Sequence, residues 1–199
     1  MIRVLIADDH TMVRRGLKQI LEETSDICVA DEANSGQEVL EKIKTVKFDV
    51  VLLDITMPGR SGFDILKELK TNFPRLPVLI LSMHSEDQYG IRVLKAGASG
   101  YLTKDRAPEE LITAVRKASQ GGKYLTPTLA EKLAFSVETN TSKPVHEILS
   151  DREYQVMSLI GSGKTIREIA EELGLSDKTI STYRARLLEK LGMKNNAEI

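Results

Sequence analysis

The chain has 199 residues, of which 41% are hydrophobic and 29% charged, and its formal net charge is -1. That length favours two small domains over one, the apolar fraction is too high for a disordered chain, and no run approaches the ~18 apolar residues of a membrane span. One cysteine, Cys28 among apolar neighbours, excludes an internal disulfide and a thiolate metal cluster and reads as a packed thiol, while the lack of a signal-peptide core at the N-terminus makes a cytoplasmic location the expectation.

The first part of the chain alternates short apolar runs with helical patterns, as βα units wound on a parallel sheet do. Strands are predicted at Arg3–Ala7, Ile27–Glu32, Asp49–Leu53, Pro77–Leu81 and Gly100–Thr103, and their unbroken apolar character suits a sheet covered on both faces. Helix starts are marked by Ser35 with Glu38, by Ser61 with Asp64, and by Pro108 at the first helical position, followed by Glu109 and Glu110. Beyond Gly121 and Gly122, Thr126 and Pro127 open a helix carrying Leu129, Leu133 and Val137, which gives way to a polar linker over Glu138–Val145. The expected domains are 1–124, a linker helix and linker over 125–146, and a helical domain over 147–199.

In a doubly wound sheet, ligands bind beyond the carboxyl ends of the strands. Asp8 and Asp9 follow the first strand, Asp54 the third, Ser82 the fourth and Lys104 the fifth. Singly each has a plain reading: Asp9 as a helix cap, Asp54 as a turn residue, Ser82 in a loop, Lys104 in solvent. Together, three converging carboxylates repel unless a cation joins them, and an all-oxygen set suits Mg²⁺. A carboxylate can also act as nucleophile and form an acyl phosphate, a role the placement of Asp54 suits. Lys104 and the Ser82 hydroxyl could then meet the phosphoryl oxygens. His10 and His146 lack partners at metal spacing, so no zinc site is expected.

The segments LIADDH, VVLLDITMPGRSG, LILSMH and AGASGYLTKD together resemble the receiver domain of two-component response regulators. The resemblance implies a flavodoxin-like five-stranded parallel sheet of order 2-1-3-4-5. It implies that Asp54 accepts a phosphoryl group from a sensor histidine kinase. Mg²⁺ would be held by Asp8, Asp9, Asp54 and the backbone carbonyl of Thr56. Ser82 and Lys104 would contact the phosphoryl group, with Ser82 and Tyr101 acting as a switch pair that moves inward on phosphorylation. His84, two residues beyond Ser82, would tune acyl-phosphate lifetime. Such a domain catalyses only its own phosphorylation and dephosphorylation and is not otherwise an enzyme. An aspartyl phosphohydrolase would want a second Asp where Thr56 stands, and a flavin-binding module would want a phosphate-cradling loop after the first strand; neither is present.

From Leu149 onward only helical periodicity remains. Ser150 with Glu153 and Thr165 with Glu168 read as capping boxes, Ser176 caps a third helix and Gly192 ends it. Val156, Leu159 and Ile160 line the first helix, Ile166, Ile169, Ala170 and Leu173 the second, and Ile180, Leu187 and Leu191 the third. The Leu173–Ser176 turn has the length and glycine of a helix-turn-helix. A protein-interaction bundle is the alternative. The third helix would expose Lys178, Thr179, Ser181, Thr182, Ala185 and Arg186 to double-stranded DNA. From Lys178 to Lys194 the chain carries Lys178, Arg184, Arg186, Lys190 and Lys194 against Glu189 alone, a basic stripe in an otherwise balanced domain.

This part resembles the LuxR-type DNA-binding domain, and the whole chain the NarL/FixJ subfamily of response regulators. The resemblance implies a homodimer when phosphorylated or DNA-bound, and no membrane partner. Relatives often carry Lys where Ser181 stands, His where Tyr183 stands and Arg near Asn196, so fewer cations meet the groove and a shallower salt dependence is expected. Asn195–Ile199 read as a fourth helix that stops within its first turn, an apparent truncation.

Overall fold

A continuous apolar strand is stable only when both faces are covered, and the chain solves this with a five-stranded parallel sheet in the order β2-β1-β3-β4-β5. The computed structural model describes residues 1–138 and 148–199, with side chains of 136–138 left aside. The strands are β1 (Ile2–Ala7), β2 (Ile27–Ala33), β3 (Val50–Asp54), β4 (Val78–Ser82) and β5 (Gly100–Thr103). Each lies within a residue or so of its predicted range.

Helices α1 (Thr11–Glu22), α2 (Gly36–Thr45), α3 (Gly62–Asn72), α4 (Glu86–Lys95) and α5 (Ala107–Ser119) alternate with these strands. Side chains alternate along a strand, so the sheet has two separate cores. Val4, Ile6, Leu52, Leu79, Leu81 and Leu102 pack with Leu17 and Leu21 of α1 and Leu111 and Val115 of α5. Leu5, Val51, Leu53, Ile80 and Tyr101, the alternate set, are equally buried, as are Val39 of α2, Phe63 and Leu66 of α3, and Tyr89 and Val93 of α4.

Local chemistry sets the helix ends, with small departures from expectation. Ser35 accepts the Glu38 amide, but the Glu38 carboxylate reaches the Asn34 amide, one residue before the reciprocal partner of a capping box. Ser61 accepts from the Phe63 amide rather than from Asp64, because its hydroxyl reaches the nearer donor. Arg106 precedes α5, so Pro108 occupies its second position, where the missing N–H is equally free of cost.

The first compact unit runs past residue 124 to Ala134. Tyr124 bridges to Gly100 beside the sheet. Thr126 accepts the Leu129 amide at the start of α6 (Pro127–Glu138) and donates to Glu86 of α4 at 2.7 Å. Leu129 is fully buried and lies where a side chain on Gly90 would have to go, 2.7 Å from an ideal Cβ. Lys132 pairs with Asp87. The start of the expected linker helix is thus docked on α4. Of the linker over Glu138–Val145, all beyond Glu138 lies outside the described residues, as does His146.

The second unit, Phe135–Ile199, contains α7 (Asp151–Gly161), α8 (Ile166–Leu173) and α9 (Asp177–Leu191). Both expected capping boxes form, at Ser150 with Glu153 and at Thr165 with Glu168. Gly174 ends α8 in the left-handed region at φ 60°, which a side chain would strain, and Ser176 then caps α9. Val156, Leu159, Ile169, Leu173, Ile180 and Leu187 form the core; Leu188 is buried with them, whereas Leu191 and Ile166 are only half-buried. Asn196–Glu198 form a single 3₁₀ turn capped by the Asn195 side chain.

Arg116 of α5 grips Asp26, just before β2, with two parallel hydrogen bonds of 2.8 Å, and that contact holds the Asp26 carboxyl down at about 2. A depressed carboxyl contributes stability above its ordinary value of 3.8 and loses it as pH falls through about 2. The stability gap between the wild type and Asp26→Asn, read by thermal melts, should be steady near neutrality and close over that acid window. A gap that persists below it would assign the effect to something other than the carboxylate.

Candidate functional site

The strand register carries the acidic residues to one level. Ala7 pairs with Leu53, so Asp8 and Asp54 leave the sheet side by side, while Asp54 itself pairs with Leu81 and Ser82 with Thr103. Ser82 and Lys104 therefore follow at the same end of β4 and β5. A parallel sheet makes such convergence automatic, since all its strands end on one edge.

Lys104 sits among the carboxylates, its Nζ 2.8 Å from Asp54 Oδ2 and 2.7 Å from Asp8 Oδ2. Both aspartates are fully buried, and the lysine nearly so. Asp54 Oδ1 accepts the Thr56 amide at 3.1 Å. Burial pushes the Asp54 carboxyl above its ordinary 3.8, and the neighbouring Asp8 adds to the rise against the pull of Lys104. Burial alone would lower the Lys104 ammonium, but Asp54 and Asp8 outweigh it and raise the group. The two directions agree physically: two buried carboxylates share one ammonium, so the ammonium is over-stabilised and the carboxylates are under-neutralised.

That shortfall is the test of a metal site. Asp8 Oδ2 and Asp9 Oδ1 are buried oxygens without a hydrogen bond, although each has a cation or ring nitrogen within charge contact. Ligand atoms of Asp8, Asp9, His10 and Asp54 lie within 4.8 Å of one another. Oxygen donors with unspent negative charge fit a hard divalent cation. His10, for which the sequence suggested no metal partners, is inside this cluster, with Nδ1 2.9 Å from Asp9 and 3.2 Å from Asp8. It directly follows Asp8 and Asp9 in the chain, so its place beside them is a local one.

Ser82 and Tyr101 form a second layer. The Ser82 hydroxyl oxygen accepts the His84 amide at 3.0 Å, and the Tyr101 hydroxyl donates to the His84 carbonyl at 2.8 Å. Tyr101 is only 1% exposed. Burial pushes its phenol well up, with Tyr89, Asp54 and Glu86 adding to the rise and Ser82 opposing it, so it remains a neutral donor. The inward position of this ring is therefore available without a phosphoryl group. The His84 ring packs 5.1 Å from that of Tyr89.

Two residues that sequence reasoning passed over shape the site. Gly62 begins α3 against β3: an ideal Cβ there would lie 2.4 Å from the Asp54 carbonyl and 2.6 Å from Ile55 Cα, so no side chain fits without displacing the strand end. Arg14 of α1 donates to the Asp8 carbonyl at 2.7 Å.

In the second unit, Lys178, Ser181, Thr182, Ala185 and Arg186 are exposed along α9, while Thr179 is half-buried, its amide and hydroxyl engaged with Ser176. Thr182 spends its hydroxyl proton on the Lys178 carbonyl. Several cations are committed elsewhere: Lys164 to Glu172, Arg167 to Glu171, Lys190 to buried Glu153, and Arg184 to Asn196. Lys178 and Arg186 have no such carboxylate among the described residues.

The buried charge shortfall has a measurable cost. A raised carboxyl costs nothing below its ordinary value of 3.8 and destabilises increasingly as pH rises through its folded value. Asp54→Asn, which leaves Lys104 against Asp8 alone, should melt above the wild type in metal-free buffer near neutrality, with the gain shrinking in acid. A lower melting temperature at neutral pH would contradict this charge balance.

Residues 4–116 match the family described as the response regulator receiver domain, and residues 147–199 that described as bacterial regulatory proteins of the luxR family. The chain is 36% identical over 200 residues to the response regulator UvrY of Escherichia coli K12, covering all of this chain and 92% of UvrY. It is 37% identical over 199 residues to the response regulator GacA of Pseudomonas protegens, covering all of this chain and 93% of GacA. Among solved structures it resembles RcsB of Salmonella enterica serovar Typhimurium bound to promoter DNA with the phosphomimetic BeF3-, at TM-score 0.67 and 28% identity over 99% of this chain and 95% of that one. It also resembles a structure of two RcsB dimers bound to two parallel DNAs, at TM-score 0.62 and 28% identity over 98% and 94% of the two chains. The chain belongs to the two-component response regulators of the NarL/FixJ type, with a receiver domain followed by a LuxR-type helix-turn-helix domain.

Proposed function

We propose that the chain is a phosphorylation-dependent transcription regulator that works in the cytoplasm, takes a phosphoryl group on Asp54 from a sensor histidine kinase, and binds operator DNA through α9. The observation that carries this reading is the buried pair Asp8 and Asp54 sharing Lys104 at the strand ends. A bound Mg²⁺ would supply the charge that steadies the transferring phosphoryl oxygens. Asp8, Asp9 and Asp54, with the backbone carbonyl of Thr56, are the residues to hold it.

An oxygen of Asp54 attacks phosphorus as the bond from phosphorus to the kinase imidazole breaks; the electron pair leaves with the imidazole, which takes up a proton. Lys104 meets a phosphoryl oxygen, and the Ser82 hydroxyl turns its proton to the phosphoryl group. That turn disturbs the bond from the His84 amide to Ser82, while Tyr101 keeps hold of the His84 carbonyl. Ser82 and His84 lie directly before α4, on which the start of α6 is docked, so this layer is the route by which the receiver informs the rest of the chain. The chemistry ends with slow hydrolysis of the acyl phosphate, so the domain acts on itself and turns over no separate substrate.

Dimers form on phosphorylation or on DNA. Lys178 and Arg186 meet the duplex as free cations, and Ser181, Thr182 and Ala185 face the bases. With Lys164, Arg167 and Lys190 held by carboxylates of their own domain, few counterions are released.

Asp54→Asn should abolish phosphoryl incorporation from acetyl phosphate or a kinase; incorporation at the wild-type level in that variant would place the acceptor elsewhere. For the DNA half, Lys178→Ala and Arg186→Ala should each reduce the slope of log affinity against log salt by about 1. Slopes equal to the wild type would remove α9 from the interface.

A further inference from the structure

We propose that Arg14 is a positioning residue for the cation pocket, holding the backbone of Asp8 so that its carboxylate stands where a divalent cation needs it. This rests on the reading that Asp8, Asp9 and Asp54 hold Mg²⁺. The Arg14 side chain is only 13% exposed, and its guanidinium serves three segments at once. Nη1 donates to the Asp8 carbonyl at 2.7 Å, Nε to Glu32 Oε2 of β2 at 3.1 Å, and Nη2 to Thr11 Oγ1 at 3.4 Å. On its other side the Asp8 amide donates to the Ala33 carbonyl at 3.1 Å. Both peptide groups that flank the Asp8 side chain are thereby pinned, one to β2 and one to α1.

Arg14 makes no ion pair with the pocket carboxylates, so it does not compete for their charge as Lys104 does. A planar guanidinium suits this task because its donors diverge in one fixed plane, whereas an ammonium is a single point.

The sheet makes room for this contact through an irregularity. Val4 pairs with Val29 but Leu5 with Asp31, so Ala30 is an extra residue on β2. Ile27 and Val29 pack toward the α1 and α5 side of the sheet, and unbroken alternation would send Asp31 there next. The inserted residue reverses the alternation, and Glu32 meets Arg14 while Asp31 meets Lys42 of α2 at 2.6 Å. Bulges are rare between parallel strands and commonly re-aim a side chain near a functional site. Lys18, 3.9 Å away, adds a second cation on Glu32 and fixes it further.

Groups that orient ligands from behind typically change metal affinity 10- to 100-fold when lost. Arg14→Gln should therefore raise the half-saturating Mg²⁺ concentration for phosphorylation by acetyl phosphate by about 10-fold or more, and weaken Mg²⁺ binding in calorimetry by the same factor. The maximal rate at saturating Mg²⁺ should stay close to wild type. Arg14→Lys and Glu32→Gln, which keep part of the linkage, should fall between, and they carry the test if Arg14→Gln does not fold. A merely structural arginine would lower melting temperature and maximal rate and leave the Mg²⁺ dependence unmoved; that result overturns the proposal. A wild type whose phosphorylation is indifferent to Mg²⁺ would instead overturn the metal reading on which it rests.

Discussion

The receiver half is organised around an unbalanced charge. Asp8 and Asp54 are removed from water beside a single ammonium, with Asp9 at the rim. In a low-dielectric site such a deficit is costly, and folding tolerates it only because a large apolar sheet surrounds it. The same deficit is what makes the site receptive to a cation and then to a phosphoryl group. Lys104 moderates the repulsion without cancelling it, so the pocket is held together while retaining its appetite for positive charge.

Everything around the pocket follows from keeping that arrangement rigid. The parallel sheet brings the strand ends to one edge, Gly62 lets α3 start against the Asp54 carbonyl, and Arg14 with the β2 bulge fixes the Asp8 backbone. Beside the pocket, Ser82 and Tyr101 are joined through His84, the Ser82 hydroxyl accepting its amide and the Tyr101 hydroxyl donating to its carbonyl. A rigid pocket beside a hydrogen-bonded layer is a physical form that suits a switch, since a change at the pocket could redistribute bonds without dismantling the core.

The DNA-binding half works with the opposite economy. Several of its cations are paired inside the domain: Lys190 of α9 neutralises Glu153 of a buried capping box, and Lys164 and Arg167 face glutamates. The exposed strip of α9 proposed to meet DNA is short, and polar and small side chains outnumber charges in it. Contacts of that kind read base edges and shape more than they add raw electrostatic affinity.

Periodicity and end signals were enough to place the five strands, the starts of α2, α3, α5 and α6 and the helix-turn-helix, because apolar spacing and capping chemistry are local properties of the chain. Asp8, Asp9, Asp54, Ser82 and Lys104 were legible as a set because a parallel sheet fixes where strand ends go once the strands are known. Other features depended on partners distant in sequence. Docking of Thr126, Leu129 and Lys132 on α4 needs the bare surface of Gly90, which no local pattern reveals. Arg14 reads as one more polar residue of an amphipathic helix until β2 supplies Glu32 and the loop after β1 supplies the Asp8 carbonyl. Sequence alone determined which elements form and which edge carries the chemistry; the tertiary structure decided which side chains hold that edge in place, because such contacts exist only where separate segments are brought together.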